Sequence, residues 1–325
     1  MDSEKLVILK PYGSSKWEKE VFAKIAKVRD DKCSTEEELI KAIKDVDILI
    51  ADVDITVTGK VLHNAHNLKA IVCSSIGVDY VDIGEATRKG IYVTNQPDFC
   101  VNAVAEYTLS MIFLLLRKIP LAAKQTREGG WQMRDSLYGY EFKGRTLGII
   151  GLGRIGKLVA KKAKALGAKV ISYDPYVSGE AGGKLGVKMV GLDLLLKCSD
   201  LVSIHTPLTD ETRKLIGETQ LGQMKKTAYL INLSRGAVVD EGALYRALKD
   251  NWIAGAAVDV LEKEPPDIHN PLLELENIIV TPHIAWNTVE AKKRVRQGVR
   301  KEAMRIIKGE IPRNLVNRDA LGHLI

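Results

Sequence analysis

The sequence predicts an α/β protein of parallel sheets wound on both faces by helices, divided into two domains. Three observations carry that reading. Short β runs alternate with helical patterns through residues 1–100, the signature of βαβ units and a parallel sheet. A glycine-rich turn, GLGRIG at 151–156, joins a β run to an amphipathic helix, and a second β run follows. Further strands and helices then continue to Thr281, and 325 residues with 46% hydrophobic side chains suffice for two buried cores.

In chain order, Leu6–Leu9, Ile48–Ala51, Ala70–Cys73 and Ile91–Thr94 are the clearest early strands. Helices are expected near Lys16–Lys27 and Glu36–Lys44, the latter opened by a capping box from Thr35 to Glu38. Strand Ala70–Cys73 runs into SSIGVD at 74–79, a small-residue loop at a strand's C-terminal end, where open α/β sheets bind ligands. An ordinary βα turn explains that spacing equally well. Asn102–Ile119 reads as one long helix, apolar round most of its surface and so buried. Helix Leu121–Arg127 and the Trp131 segment precede the central strand, Leu147–Ile150. In the helix after the glycine turn, Ile155, Val159, Ala163 and Leu166 fall at helical spacing, and Gly167 stops it. The remaining strands are Val170–Tyr173, Leu201–His205, Tyr229–Leu233, Ala256–Val260 and Ile278–Val280. The final helix, about Thr288–Ile307, is amphipathic and basic; Pro282 and the region before Asn102 are hinge candidates.

The central stretch points to a dinucleotide. Gly151, Gly153 and Gly156 provide a tight turn, a close approach of backbone to a pyrophosphate, and close helix–strand contact. The N–H groups where the helix starts suit the pyrophosphate anion. Asp174 ends the next strand, about twenty residues after the turn, where a carboxylate holds ribose hydroxyls. A 2′-phosphate there would meet like charge. At about 4 Å and an effective dielectric of about 20 that repulsion is about 4 kcal/mol, on the order of a thousandfold, so NAD is expected over NADP.

Bulk properties exclude other classes. No apolar run approaches the 18 residues needed to cross a bilayer; the richest is Met111–Leu116. Leu6–Leu9 is too short for a signal-peptide core. The four cysteines, Cys33, Cys73, Cys100 and Cys198, lie far apart, so neither a zinc site nor a disulfide framework is indicated, and a reducing cytoplasm fits. A net charge of +7 is modest, and its lysines are scattered along helices without interleaved aromatics. That argues for attraction of small anions and against nucleic acid.

Three residues just after expected strands could do chemistry: Arg235 in INLSRG, Glu264 in LEKEPP and His283 in TPHIAW. In a parallel sheet these strand ends share the edge that carries the glycine turn. Carbonyl reduction needs such a set. The imidazole donates a proton to the carbonyl oxygen, the carboxylate favours and orients the imidazolium, and the guanidinium binds a substrate carboxylate. Taken singly, each has a structural explanation; together at equivalent strand ends they favour catalysis. His205, Thr206 and Pro207 also end a strand, on what would be the adenine side.

With these motifs in view, the sequence resembles the D-isomer-specific 2-hydroxyacid dehydrogenases. The likeness runs through IGVDYVDI, NAVAEYTL, GLGRIGK, HTPLTDETR, LINLSRGAVVDEGAL, AGAAVDVLEKEPP and TPHIAW. It implies two doubly wound domains, a Rossmann cofactor domain at 102–282 and a flavodoxin-like substrate domain from 1–101 and 283–325. It implies Arg235 as the substrate-binding catalytic residue, Glu264 as partner of the histidine, and His283 as acid/base. Around NAD it implies Arg154, Ile155, Asp174, Thr206, Pro207, Thr212, Leu233, Ser234 and Asp259, with Arg235, His283 and Trp286 beside them. The loop of Ser75, Ile76, Gly77 and Val78 would bind the substrate carboxylate through backbone N–H groups. A homodimer through the cofactor domain is also implied.

Two departures stand out: Trp286, where many members carry glycine or serine, and Ser75, where a glycine is common. Trp286 is expected to narrow the pocket, a structural aromatic against the hinge being the alternative, with Tyr12, Ile76 and residues near Phe99 as further candidates to shape it. The chain ends soon after its last helix, so the regulatory domain of longer phosphoglycerate dehydrogenases is not expected. The expected activity is NADH-dependent reduction of a small 2-keto acid: glyoxylate, hydroxypyruvate or 3-phosphohydroxypyruvate. The rivals are an NAD-sensing corepressor-like binding protein and a phosphite dehydrogenase.

Overall fold

The structure, a computed structural model, describes residues 6–11, 20, 22–23 and 25–323. Tyr12 and most of the helix expected near Lys16–Lys27 lie outside the described residues. The chain divides into two compact units, residues 1–100 with 288–325, and residues 101–287.

The first unit holds strands β1 (Val7–Leu9), β2 (Lys27–Arg29), β3 (Ile48–Ala51), β4 (Ala70–Cys73) and β5 (Tyr92–Thr94), all parallel, in the order β2-β1-β3-β4-β5. That is the flavodoxin-like order. Alternate side chains feed two cores. Ile8, Ile48, Ile50, Ala70 and Val72 pack with Val299, Ala303 and Ile306 of the helix Val289–Ile307. Leu9, Leu49, Ile71 and Val93 pack on the other side with Leu39 and Leu62. With both faces covered, the strands lack a polar face, as parallel sheets require. The capping box forms as expected: Glu38 N–H donates to Thr35 Oγ1 and Thr35 N–H to Glu38 Oε2. The last residues complete this unit, since Asn317 Oδ1 accepts from Val93 N–H at 2.8 Å and its amide donates to the Ile91 carbonyl.

The second unit has β6 (Thr146–Ile150), β7 (Lys169–Tyr173), β8 (Lys188–Met189), β9 (Leu201–Ile204), β10 (Tyr229–Asn232), β11 (Gly255–Val258) and β12 (Ile278–Val280). Their order is β12-β11-β10-β9-β6-β7-β8, again parallel throughout. The winding reverses between β6 and β9, the switch point at which doubly wound sheets bind dinucleotides. The chain returns to the first unit after Asn287 rather than at Pro282.

Four local expectations need correction. The long helix stops at Leu116, and a separate helix, Ile119–Arg127, begins beyond Lys118, whose φ is 51°. Pro120 causes the break, because its ring would clash with the carbonyl of Leu116; that carbonyl accepts instead from Tyr140 N–H. Helix Val101–Leu116 buries one face, Ala105, Thr108, Met111, Ile112 and Leu115, and exposes Asn102, Glu106, Ser110 and Phe113. Leu166 is the C-cap of its helix and is exposed. Finally, β9, β10 and β11 end one or two residues early, which frees His205, Leu233 and Asp259 for loops.

Candidate active site

The turn after β6 is built around its glycines. Gly151 has φ +91°, and a Cβ there would lie 2.8 Å from the His205 carbonyl. A Cβ on Gly156 would lie 2.1 Å from the Gly151 carbonyl oxygen, so only glycine lets the helix close on the turn. A Cβ on Gly153 meets nothing within 4 Å. Gly153 is also the N-cap of helix Arg154–Ala165, with no side chain capping it. An open space thus faces uncapped N–H groups. Asp174 lies beside it: its carboxylate accepts from Leu152 N–H at 2.8 Å and from Tyr176 N–H at 2.9 Å, clamping the turn. His205 bonds Ser203 Oγ through Nε2 at 2.9 Å, and burial pushes its pKa down to about 4, so it is neutral. Thr212 Oγ1 donates to the Pro207 carbonyl at 2.7 Å and fixes the loop after β9.

Beyond β10, β11 and β12 the three candidate catalytic side chains gather in one unit. His283 Nδ1 and Glu264 Oε2 are 2.7 Å apart. The other Glu264 oxygen accepts from Leu261 N–H at 3.0 Å, which fixes the carboxylate. The His283 pKa is raised, chiefly by the Glu264 hydrogen bond, against burial and the positive field of Arg235. Burial pushes Glu264 up, but His283, Leu261 N–H and Arg235 together hold it below its ordinary value. The pair therefore favours imidazolium beside carboxylate. Arg235 itself caps the turn Gly236–Val238, and its guanidinium donates to the Ser234 carbonyl at 3.0 Å.

Three braces hold these side chains; the sequence reading placed Asp259 beside NAD rather than as a brace, and did not single out Asn232 or Gly236. Asp259, only 1% exposed, accepts from Thr281 Oγ1 at 2.6 Å, Ile284 N–H at 3.0 Å and Ala285 N–H at 2.7 Å. Its own carbonyl accepts from His283 N–H at 2.8 Å. Asn232, buried at the end of β10, donates to the Arg235 carbonyl and accepts from Ser234 N–H and Oγ. Gly236 lets this turn touch the next loop, since a Cβ there would fall 1.9 Å from Leu261. A polar residue inside an otherwise apolar strand, Asn232 in YLIN, was the available signal.

Comparison with known proteins places the chain in a family. The family model for the D-isomer specific 2-hydroxyacid dehydrogenase NAD binding domain matches residues 109–285, more than half of the chain. The chain belongs to the D-isomer-specific 2-hydroxyacid dehydrogenases. The glyoxylate reductase of Korarchaeum cryptofilum is 40% identical over 296 residues, which cover 90% of this chain and 89% of that protein. The D-3-phosphoglycerate dehydrogenase of Methanocaldococcus jannaschii is 44% identical over 284 residues, 87% of this chain but 54% of that longer protein. Among solved structures, D-lactate dehydrogenase from Aquifex aeolicus, complexed with NAD and lactic acid, superposes with a TM-score of 0.88 at 30% identity. That match covers 96% of this chain and 99% of the other.

The protein is thus an NAD-dependent dehydrogenase of this family, and its second unit fits the cofactor. The open space at Gly153 and the uncapped helix start match a pyrophosphate, and the carboxylate at the end of β7 matches the ribose. Of the residues expected around NAD, His205 and Thr206 lie so close to Gly151 that a Cβ there would fall within 3 Å of their backbone. Arg154 and Ile155 open the helix, and Leu233 and Ser234 follow β10. Asp259 is turned into the protein as a brace. Pro207 is exposed, Thr212 is tied to its own loop, and Trp286 is partly buried three residues beyond His283. Ser75, Ile76, Gly77 and Val78 follow β4 in the first unit. Among the described residues no helix is long and apolar enough to cross a membrane.

Proposed function

We propose that this dehydrogenase reduces a small, unbranched 2-keto acid to the D-2-hydroxy acid, with glyoxylate and hydroxypyruvate as the first candidates and 3-phosphohydroxypyruvate as the third. The reading rests on one observation, the 2.7 Å contact of His283 Nδ1 with Glu264 Oε2 beyond neighbouring strands. Glu264 engages Nδ1, which leaves Nε2 as the nitrogen that hands a proton to the substrate's carbonyl oxygen. Bound NADH supplies the hydride. Arg235 holds the substrate carboxylate and polarises the carbonyl, and it steadies the charge that develops there. The backbone N–H groups of Ser75–Val78 give that carboxylate its other partners. Arg154, Ile155, Asp174, His205, Thr206, Pro207, Thr212, Leu233, Ser234 and Trp286 line the cofactor, while Asp259 acts through the loop it braces.

The protein works in a reducing cytoplasm, as a homodimer formed by the NAD-binding unit and without a nucleic-acid partner. Exposed Phe113, Ile119, Trp131 and Met133, on consecutive elements of that unit, support such a surface. NADH oxidation with glyoxylate, hydroxypyruvate, pyruvate and 3-phosphohydroxypyruvate tests the activity. The expected result is turnover of at least one of the first two with strong preference for NADH. No turnover of any of the four would sink the reading in favour of an NAD-sensing protein.

A further inference from the structure

The loop after β4 has an asymmetric backbone. Its four successive carbonyls are all occupied. The Ser75 carbonyl accepts from Gln96 N–H at 2.8 Å, and the Ile76 carbonyl from Asn95 Nδ2 at 2.8 Å. The Gly77 carbonyl accepts from Ser75 Oγ at 2.7 Å, and the Val78 carbonyl from Val81 N–H at 3.0 Å. By contrast, the N–H groups of Ile76, Gly77 and Val78 donate to no described residue. Tying back every acceptor while leaving consecutive donors open makes a concavity suited to an anion.

A hydroxyl relay sets that geometry. Ser75, 6% exposed, lies 2.7 Å from the hydroxyl of Tyr80, 9% exposed. A serine has one proton to give, and the Gly77 carbonyl can only accept, so Ser75 donates there and Tyr80 donates to Ser75. Burial raises the Tyr80 pKa above its ordinary value and keeps the phenol a donor. Beside it the Cys73 thiol, pushed up to about 12 by burial, stays neutral. Ser75 therefore replaces a glycine's freedom with a hydrogen-bonded lock.

We propose that Tyr80, through Ser75, and Asn95, through the Ile76 carbonyl, are positioning residues that pre-form the donor set for the substrate carboxylate. This rests on the functional reading above, in which Ser75–Val78 hold that group. None of the three side chains is assigned a step in proton or hydride transfer. Their effect is to hold N–H groups in the bound orientation before substrate arrives, which lowers the ordering cost of binding.

The test uses the full-length enzyme with Tyr80→Phe, Ser75→Ala, Asn95→Ala and the Tyr80→Phe/Ser75→Ala pair. Readouts are KM and kcat for the best 2-keto acid, the Kd of NADH, and the Kd of oxalate, which carries carboxylates but is not reduced. The expected result is a rise of about tenfold in KM and oxalate Kd for each single variant, with kcat changed less and NADH binding unchanged. The pair should be no worse than Ser75→Ala alone, because both hydroxyls act along one chain. Wild-type KM and oxalate Kd in Tyr80→Phe and Asn95→Ala would overturn the proposal, as would a double variant whose loss is the product of the two. Should Asn95→Ala fail to fold, Tyr80→Phe, which keeps the ring in place, decides alone. A wild-type protein that reduces no 2-keto acid but binds oxalate with this variant pattern would sink the functional reading and leave the positioning role standing.

Discussion

His283, the proposed proton donor, sits at an unusual backbone position. Its φ of 52° lies in the left-handed region that asparagine tolerates better than most residues. His283→Asn therefore keeps the loop more faithfully than His283→Ala. Both should lower kcat by about a hundredfold to ten-thousandfold, with NADH affinity largely kept, as single-turnover kinetics and NADH titration would show. Because Glu264 raises the His283 pKa, kcat/KM for reduction should stay high through neutral pH and fall as pH rises through that value; oxidation of the hydroxy acid should rise over the same range. Glu264→Gln should move both limbs to lower pH. At Asp174, alanine should narrow the NADH over NADPH preference, and it should also weaken NADH binding because the turn loses the clamp on Leu152 and Tyr176. An unchanged ratio of the two affinities would remove Asp174 from cofactor choice. That Arg235, Glu264 and His283 would come together was legible in the sequence because each follows a β run in a polar context. The bracing roles of Asp259, Asn232 and Tyr80 were not, since a buried brace is recognised by its partners, and those lie far along the chain or across a turn.

The glycine turn separates folding from binding within one element. Alanine at Gly156 would press on the Gly151 carbonyl and should destabilise the protein, visible as a lower Tm. Gly153→Ala meets open space, so Tm should hold while NADH affinity falls about tenfold or more, where the methyl crowds the pyrophosphate. A Gly153→Ala protein that binds NADH normally would place the dinucleotide elsewhere. Long apolar strands such as β9 and β10 were readable from their runs. The edge strands β2 and β8 were not, because KVR and KM carry no apolar run. The split of the helical stretch was read, but the apolar run drew the first helix on to Ile119, whereas it stops at Leu116.

At the scale of the whole molecule, charge pairing and surface chemistry make two further statements. The His283–Glu264 pair stabilises the fold between the ordinary pKa values of its members. Its histidine part is present below about 6.5 and is lost as pH rises through the raised folded value; its glutamate part is present above about 4.3 and is lost as pH falls through the lowered one. Denaturant midpoints of Glu264→Gln and wild type should therefore differ most near pH 5–6 and converge toward pH 9. Trp131, 69% exposed, is the largest apolar side chain on the surface proposed to pair two copies. Trp131→Glu should shift the mass in light scattering from dimer to monomer without loss of Tm, and an unmoved dimer would place the contact on another face. Both doubly wound sheets were legible from alternation alone, whereas the use of the last residues as part of the first sheet's packing was not, because it joins segments separated by the entire second unit. That connectivity has a consequence for synthesis. The helix Val289–Ile307, which seals Ile8, Ile48 and Val72, leaves the ribosome only after all seven strands of residues 101–287. The nascent amino-terminal sheet must wait with Phe22 and Ala26 alone on that face while its successor closes, so translation itself sets the order in which the core is completed.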